Sequence, residues 1–268
     1  MTPDKPLQDE LVAVAHRLAD IARPATLGPF RGQALQTRSK GEGGFDPVTV
    51  ADRQAEAEMR EHLARVRPRD GILGEEFGPV PSQSGLTWVL DPIDGTRGYM
   101  SGTPTWGVLI AVANDAGPLY GIIDQPYTAE RFHGGFGTAR FDGPRGPGAL
   151  ATRQTATLAE ATLFSTFPEV GSPEEGRAFA AVSDRCRLTR YGMDCYAYAL
   201  LALGQIDLVI EAGLQAYDVA APIAVIEAAG GVVCDWQGGP AHRGGRILAA
   251  ANPHLRDAAL EILSAAPS

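Results

Sequence analysis

Asp91 and Asp94 lie in the run Trp88-Val89-Leu90-Asp91-Pro92-Ile93-Asp94-Gly95-Thr96-Arg97-Gly98, a stretch that reads as chemistry rather than packing. The apolar residues 87–90 have strand character. Pro92 lacks an N–H for a ladder and disfavours a helical conformation at the residue before it, so a buried strand is expected to end at Asp91. Asp94, Gly95 and Thr96 then form a tight turn able to open a helix, whose first N–H groups have no partner within it. Carboxylates held this close repel, and one pKa must rise unless something positive lies between them. Oxygen ligands suit a hard divalent cation, and carboxylates beside an anion-sized group of N–H donors form the pattern of Mg²⁺-assisted phosphoryl chemistry. A plainer alternative is a proline turn in which Asp94 caps a helix and Asp91 ends a surface strand.

Three further acidic stretches bear on that choice. Residues 71–77 read as a short apolar strand ending in Glu75 and Glu76, which would deliver Glu75 beside Asp91 at adjacent strand ends; an exposed acidic turn is the alternative. Asp52 opens a helix through Ala55, Met59 and Leu63, with Glu56 near its favourable first turn, and capping is its plain role. Asp218 stands before a buried helix over 219–229, again a good cap. Upstream, the glycine-rich residues 41–44 lead into Asp46-Pro47-Val48-Thr49-Val50-Ala51-Asp52, either as a hinged loop that closes on an acidic site or as a surface turn.

The elements that must position these acids follow from periodicity. Leu7, Leu11, Val14, Ala15, Leu18 and Ile21 predict an amphipathic helix over 7–22 that stops before Pro24, with His16 as a surface or cap residue. A short helix over 28–34 and a weak strand over 35–40 follow. Residues 107–113, 119–125 and 129–133 form an antiparallel meander, and the Gly-rich stretch 134–147 is a loop or a seam between halves. Beyond it come a helix over 174–182, a strand over 188–190 and an apolar helix over 195–203 carrying Tyr196 and Tyr198 as core. A strand over 206–210, the helix 219–229, strands 232–234 and 247–250, and a terminal helix capped by Asn252 complete an α/β layer. The chain thus divides into an N-terminal α+β half, 1–145, and a C-terminal α/β half, 146–268.

The 268 residues are long enough for a substantial core, and 23 basic against 32 acidic residues leave a net charge of −9. That balance argues against a nucleic-acid groove or an anionic membrane surface as partner. No apolar run reaches the length of a membrane span and the N-terminus lacks a signal-like pattern, so a cytoplasmic enzyme is expected. Cys186, Cys195 and Cys234, an odd and widely spaced set, argue for a reducing compartment and read as small buried hydrophobes. No dinucleotide fingerprint or phosphate-loop lysine motif is present. Nor does a nucleophilic Cys or Ser motif accompany the acids, so a phosphoenzyme is not expected.

Gly74-Glu75-Glu76, the segment from Trp88 to Thr96, Tyr217-Asp218-Val219-Ala220-Ala221 and Glu227-Ala228-Ala229-Gly230-Gly231, with the motif ending at Asp52, together resemble the inositol monophosphatase family. These are Mg²⁺-dependent, lithium-sensitive phosphatases, and the resemblance covers most of the chain. It implies a layered α-β-α-β-α fold and a homodimer. It also implies that Glu75, Asp91, Asp94 and Asp218 bind Mg²⁺, with the backbone carbonyl of Ile93 as a further ligand. Asp52 and Thr96 correspond to the pair that activates the attacking water, Glu75 carries the metal that polarises it, and Gly95 and Thr96 form the phosphate cradle. Lys40 falls near the family's basic residue before a mobile loop, and Tyr217 stands where many relatives have Trp.

Most metal and phosphate groups then belong to residues 1–145, leaving substrate choice to 146–268. Gly192-Met193-Asp194-Cys195-Tyr196 resembles the histidinol-phosphate phosphatase branch, and Glu211 aligns with a family position that contacts polar groups of the substrate. Histidinol phosphate presents an ammonium and an imidazole; inositol phosphate presents neutral hydroxyls. Acids at Asp194 and Glu211 favour the former, a charge-assisted hydrogen bond being worth ~1.5–3 kcal/mol against ~1 for a neutral one. Helix capping for Asp194 and a solvated strand end for Glu211 are the bland alternatives. Inositol-1-phosphate is the second substrate; phosphoadenosine and fructose bisphosphate rank below it, for want of a stacking surface or an extra basic cluster. A metal-dependent regulatory protein without turnover is the alternative of a different class.

Overall fold

The computed structural model describes residues 3–32, 37–39 and 47–265. Lys40, the loop 41–44 and Asp46 lie outside the described residues. Helix α1 spans Lys5–Leu27. It is followed by the antiparallel pair β1, Thr37–Ser39, and β2, Pro47–Thr49, and by α2, Val50–Val66. Strands β3, Gly71–Gly74, and β4, Thr87–Asp94, are parallel, and the short α3, Thr96–Ser101, leaves the end of β4. Strands β5, Gly107–Asn114, β6, Gly117–Gln125, β7, Glu130–Gly135, β8, Thr138–Asp142, and β9, Gly148–Ala149, extend that pair as an antiparallel meander into a seven-stranded sheet.

The rest of the chain builds a second sheet. Strand β10, Thr162–Ser165, is followed by α4, Pro173–Ser183, β11, Leu188–Tyr191, α5, Cys195–Ala202, and β12, Leu208–Gln215. Helix α6, Ala216–Ala228, β13, Val232–Cys234, β14, Gly244–Ala250, and α7, Pro253–Leu263, complete it. The five strands run in the order β11-β10-β12-β14-β13.

Side-chain alternation stacks these elements into five layers. In β4, Trp88 and Leu90 enter the core with α1 and α2 while Val89 faces α5 and α6; in β5, Val108, Ile110 and Val112 face outward and Leu109 and Ala111 inward. The second sheet repeats the pattern: Val209, Ile247 and Ala249 face α5 and α6, whereas Leu208, Ile210, Leu248 and Ala250 pack on α4 and α7. Helix α6 is therefore apolar around most of its surface, because both sheets cover it. It seats with its backbone against β6: a Cβ on Gly121 would stand 2.6 Å from the Ala221 carbonyl oxygen.

Several expectations need correction. Helix α1 does not stop before Pro24 but runs to Leu27, since its buried face continues through Ala25 and Thr26, and Arg23 donates twice to the buried Asp124 at 2.8 Å. Residues 28–31 are turn rather than a second helix. His16 is not a surface residue: its Nε2 lies 3.0 Å from the Tyr120 hydroxyl, its ring packs edge-on to His133, and burial with those neighbours lowers its pKa to about 4. Half of the stretch 134–147 is paired strand, in β7 and β8, and the rest, 136–137 and 143–147, is turn and loop within the first sheet rather than a seam. Cys195 and Cys234 are buried as expected, whereas Cys186 is only half-buried.

Because α6 can approach the first sheet only where β6 lacks a side chain, Gly121→Ala is expected to lower unfolding stability by about 1–3 kcal/mol through overpacking. Urea melts of the two proteins measure it, and an unchanged midpoint would refute the seating.

Candidate active site

Strand β4 does not end at Asp91. It continues to Asp94 through a bulge, with Asp91 opposite Leu109 and Asp94 opposite Gly107, so that Pro92 and Ile93 together face Val108. Proline is tolerated there because a bulged residue owes the ladder no N–H. The bulge also turns the strand so that both carboxylates reach one mouth. Asp91, 2% exposed, accepts the Ile93 N–H at 3.0 Å, and the Thr96 hydroxyl donates to the Ile93 carbonyl at 3.2 Å. Gly95 caps α3 at φ 85°, a left-handed conformation that favours glycine, and a Cβ there would lie 2.7 Å from Asp194 Cγ.

The other acids arrive from three separate elements. Glu75 follows β3, whose parallel pairing puts its end beside that of β4, and the Glu75 N–H donates to the Leu90 carbonyl at 3.2 Å. Asp52 is not the cap of α2: that helix opens at Val50 and holds Asp52 inside its first turn, 1% exposed. Asp218 likewise lies within α6, which opens at Ala216, and its carboxylate accepts the Gln215 N–H at 2.6 Å. Carboxylate oxygens of Asp91, Asp94 and Asp218 lie within 4.8 Å of one another, and so do those of Asp52, Glu75 and Glu76.

A cleft of about 330 Å³ opens over this assembly, lined by Glu75, Asp91, Ile93, Asp94, Gly95, Thr96, Asp194, Glu211 and Asp218. Asp52 is not on its wall and joins through the group it shares with Glu75 and Glu76. Burial, then the charges of Glu75, Asp94 and Asp218, holds the Asp91 carboxyl well above the usual range; burial, Asp218 and Asp194 do the same for Asp94. Asp218 is pushed up to about 7, chiefly by burial. All-oxygen donors packed this closely suit a hard divalent cation, which would remove the repulsion.

The two acids of the second half sit on the same cleft but not as bare charges. Asp194 occupies the position before α5 at φ 47° without capping it; its carboxylate accepts from the Thr105 hydroxyl at 3.0 Å, and Arg97 offsets part of the burial that raises its pKa. The next residue, Cys195, donates its N–H to Asp94 at 2.7 Å. Glu211, 5% exposed and so no solvated strand end, accepts from the Thr166 N–H at 2.9 Å, from the Thr166 hydroxyl, and from the Tyr198 hydroxyl at 2.8 Å.

Sequence reasoning missed Arg97, Thr166 and Phe167 on the cleft, with the Arg97 guanidinium 4.8 Å from the Phe167 ring centre. Arg97 directly follows the Asp-Gly-Thr turn and was open to notice; Thr166 and Phe167 sit in a connection after β10 with no local signature.

Layered sheets close over an acid-lined cleft able to hold a metal ion, and the proteins this chain resembles are phosphatases. The inositol monophosphatase family model matches residues 7–268. Histidinol-phosphatase of Mycobacterium tuberculosis is 36% identical over 262 residues, 96% of this chain and 98% of that protein. The chain is also 40% identical over 233 residues to the bifunctional phosphatase IMPL2, chloroplastic, of Arabidopsis thaliana; the match takes in 86% of this chain and 65% of that protein. An inositol monophosphatase from Zymomonas mobilis superposes with a TM-score of 0.83 at 37% identity, over 98% of this chain and 100% of that one. The chain belongs to the inositol monophosphatase family. Its fold is the layered α-β-α-β-α arrangement of that family, and no described helix is long and apolar enough to cross a membrane.

The raised carboxyls give the metal-stripped protein a pH signature. Folded Asp218, at about 7, retains a proton that the unfolded chain, with a value of 3.8, has shed, so stability falls as pH rises between those values. His16 and His133, lowered on folding, oppose this below the ordinary histidine value of 6.5. Between about pH 6.5 and about pH 7 the carboxyls act almost alone, and the unfolding temperature in chelator is expected to drop. A flat or rising profile in that window would contradict the buried acid cluster.

Proposed function

We propose that this phosphatase uses Mg²⁺ to hydrolyse L-histidinol phosphate to L-histidinol and phosphate, a step of histidine biosynthesis. The observation that carries the substrate is the placement of Asp194 and Glu211 on the wall of the cleft that holds the acid cluster and the Asp-Gly-Thr turn, where they suit a cationic leaving group. Likeness to a histidinol-phosphatase over nearly the whole chain supports it. Inositol-1-phosphate is the second reading, favoured by the close structural match to the Zymomonas enzyme, and its hydroxyls would donate to the same carboxylates.

In this reading Glu75, Asp91, Asp94 and Asp218, with the Ile93 carbonyl, hold the ions. Mg²⁺, when bound, supplies positive charge to the phosphoryl oxygens and to the leaving oxygen, and makes water more acidic. The N–H groups of Gly95 and Thr96 bind and orient the phosphate. Asp52 and the Thr96 hydroxyl align a water, and Asp52 accepts its proton as oxygen bonds to phosphorus and the bond to the leaving oxygen breaks on the opposite side; the alkoxide takes a proton from solvent and Asp52 releases its own. Cys195 takes no part as a nucleophile: burial, with Asp94 and Asp194 beside it, pushes its thiol well above the usual range. The reading also carries a homodimer, and a division of labour between residues 1–145, with most ion ligands, and 146–268, with Asp218 and the substrate acids.

Phosphate release from both substrates, with and without Mg²⁺, tests this. Magnesium is expected to stimulate turnover, kcat/KM to favour histidinol phosphate, and Glu75→Gln to cost roughly 100-fold or more. Asp194→Asn and Glu211→Gln are each expected to shrink the preference for histidinol phosphate by about tenfold. Equal kcat/KM on the two substrates rejects the histidinol assignment; absence of magnesium stimulation rejects the mechanism.

A further inference from the structure

Behind the acid cluster lies a carboxylate that the proposed chemistry does not use. Glu56, on the α2 turn after Asp52, is fully buried at 0% exposure. One of its oxygens accepts the Glu76 backbone N–H at 2.7 Å and the other the Arg60 Nε at 2.7 Å. It presses against the end of β3 so closely that a Cβ on Gly74 would fall 2.1 Å from its Oε1. Arg60 also donates to the Phe77 carbonyl at 3.0 Å, and Arg53 lies 3.8 Å from the Glu76 carboxylate and 4.7 Å from the Phe77 ring centre. Arg53, Glu56 and Arg60 share one face of α2, so the helix grips residues 74–77 at successive points.

We infer that Glu56 is a positioning residue: it fixes the backbone of the Gly74-Glu75-Glu76 turn and so aims the Glu75 carboxylate at the shared ion site without touching ion or substrate. The inference rests on the proposed role of Glu75 in holding Mg²⁺. Its physical basis is the cost of burying a charge, which a chain retains only where that charge is compensated, and here the compensation is the turn itself together with Arg60. Strand β3 ends at Gly74; the Glu75 N–H reaches the Leu90 carbonyl of β4, and the next N–H along, that of Glu76, is held by Glu56. Without Glu56 the Glu76 N–H loses its acceptor, the turn relaxes and Glu75 no longer meets Asp91 at a fixed range. The same helix carries Asp52, so one rigid element sets both the group proposed to handle water and the turn proposed to hold the ion.

Calorimetric titration of Mg²⁺ into the full-length protein, alongside thermal unfolding, tests this. Glu56→Ala is expected to weaken Mg²⁺ binding by about 10- to 100-fold, the range for residues that orient metal ligands. Glu56→Gln, whose amide oxygen can still accept the Glu76 N–H, should recover most of that loss. Gly74→Ala keeps Glu56 but drives a methyl group into its carboxylate, and should weaken Mg²⁺ by a comparable factor; it decides the matter if Glu56→Ala does not fold. Variants that unfold at lower temperature yet bind Mg²⁺ like the wild type would overturn this inference alone, leaving a merely structural Glu56. A wild-type protein that binds no Mg²⁺ would overturn the ion reading and this inference with it.

Discussion

Mutual repulsion among buried carboxylates is the constraint around which the molecule is arranged. Asp91 and Asp94 flank the bulge of one strand and Asp218 comes from a distant helix, and each is held above its ordinary pKa by burial and by neighbouring acids. A fold gains nothing from such a cluster on its own. It persists because the scaffold overdetermines it: the parallel pairing of β3 and β4, the covered helix α6 and the first turns of α2 are each fixed by cores that extend well beyond the cleft. Stability is supplied by the layers, and the cleft draws on it.

This division explains which parts of the fold could be read from the sequence. The meander, the α/β alternation of the second half and the Asn252 cap were legible because each depends on local periodicity or one capping side chain. The Asp-Pro-Ile-Asp run was read as the end of the strand at Asp91, whereas the strand runs on to Asp94. Its resolution as a bulge was not legible, since pairing of Asp91 with Leu109 and Asp94 with Gly107 is set by β5. The same holds for α1. Pro24 signals a stop locally, but burial of Ala25 and Thr26 and the Arg23–Asp124 pair carry the helix onward.

Among the site residues, those with a motif were visible and those that support them were not. Glu75, Asp91, Asp94 and Asp218 stood out because acids interrupt apolar runs. Glu56 did not, because a glutamate near the start of a helix has an ordinary explanation in the helix dipole; only its burial beneath Gly74 reveals another. His16 shows the converse, a residue that looks superficial on a helical wheel and lies in a seam with Tyr120 and His133.

The corner at Asp194 and Cys195 ties the two sheets' contributions together in a way neither half reveals alone. Asp194 takes a positive φ that costs backbone energy for a residue other than glycine, and two engagements oppose that cost. Its carboxylate lies against Gly95 and accepts from Thr105, while the Cys195 N–H reaches Asp94. The residue proposed to recognise the leaving group thus also braces the turn proposed to hold phosphate and the Asp94 carboxylate beside it. Arg97, facing both Asp194 and Phe167, adds a cation to the same corner. Substrate preference and the placement of Asp94 are therefore not independent variables here: a change of charge or size at position 194 is transmitted over one hydrogen bond to the acid cluster, so variation in this corner is confined to side chains that preserve its backbone.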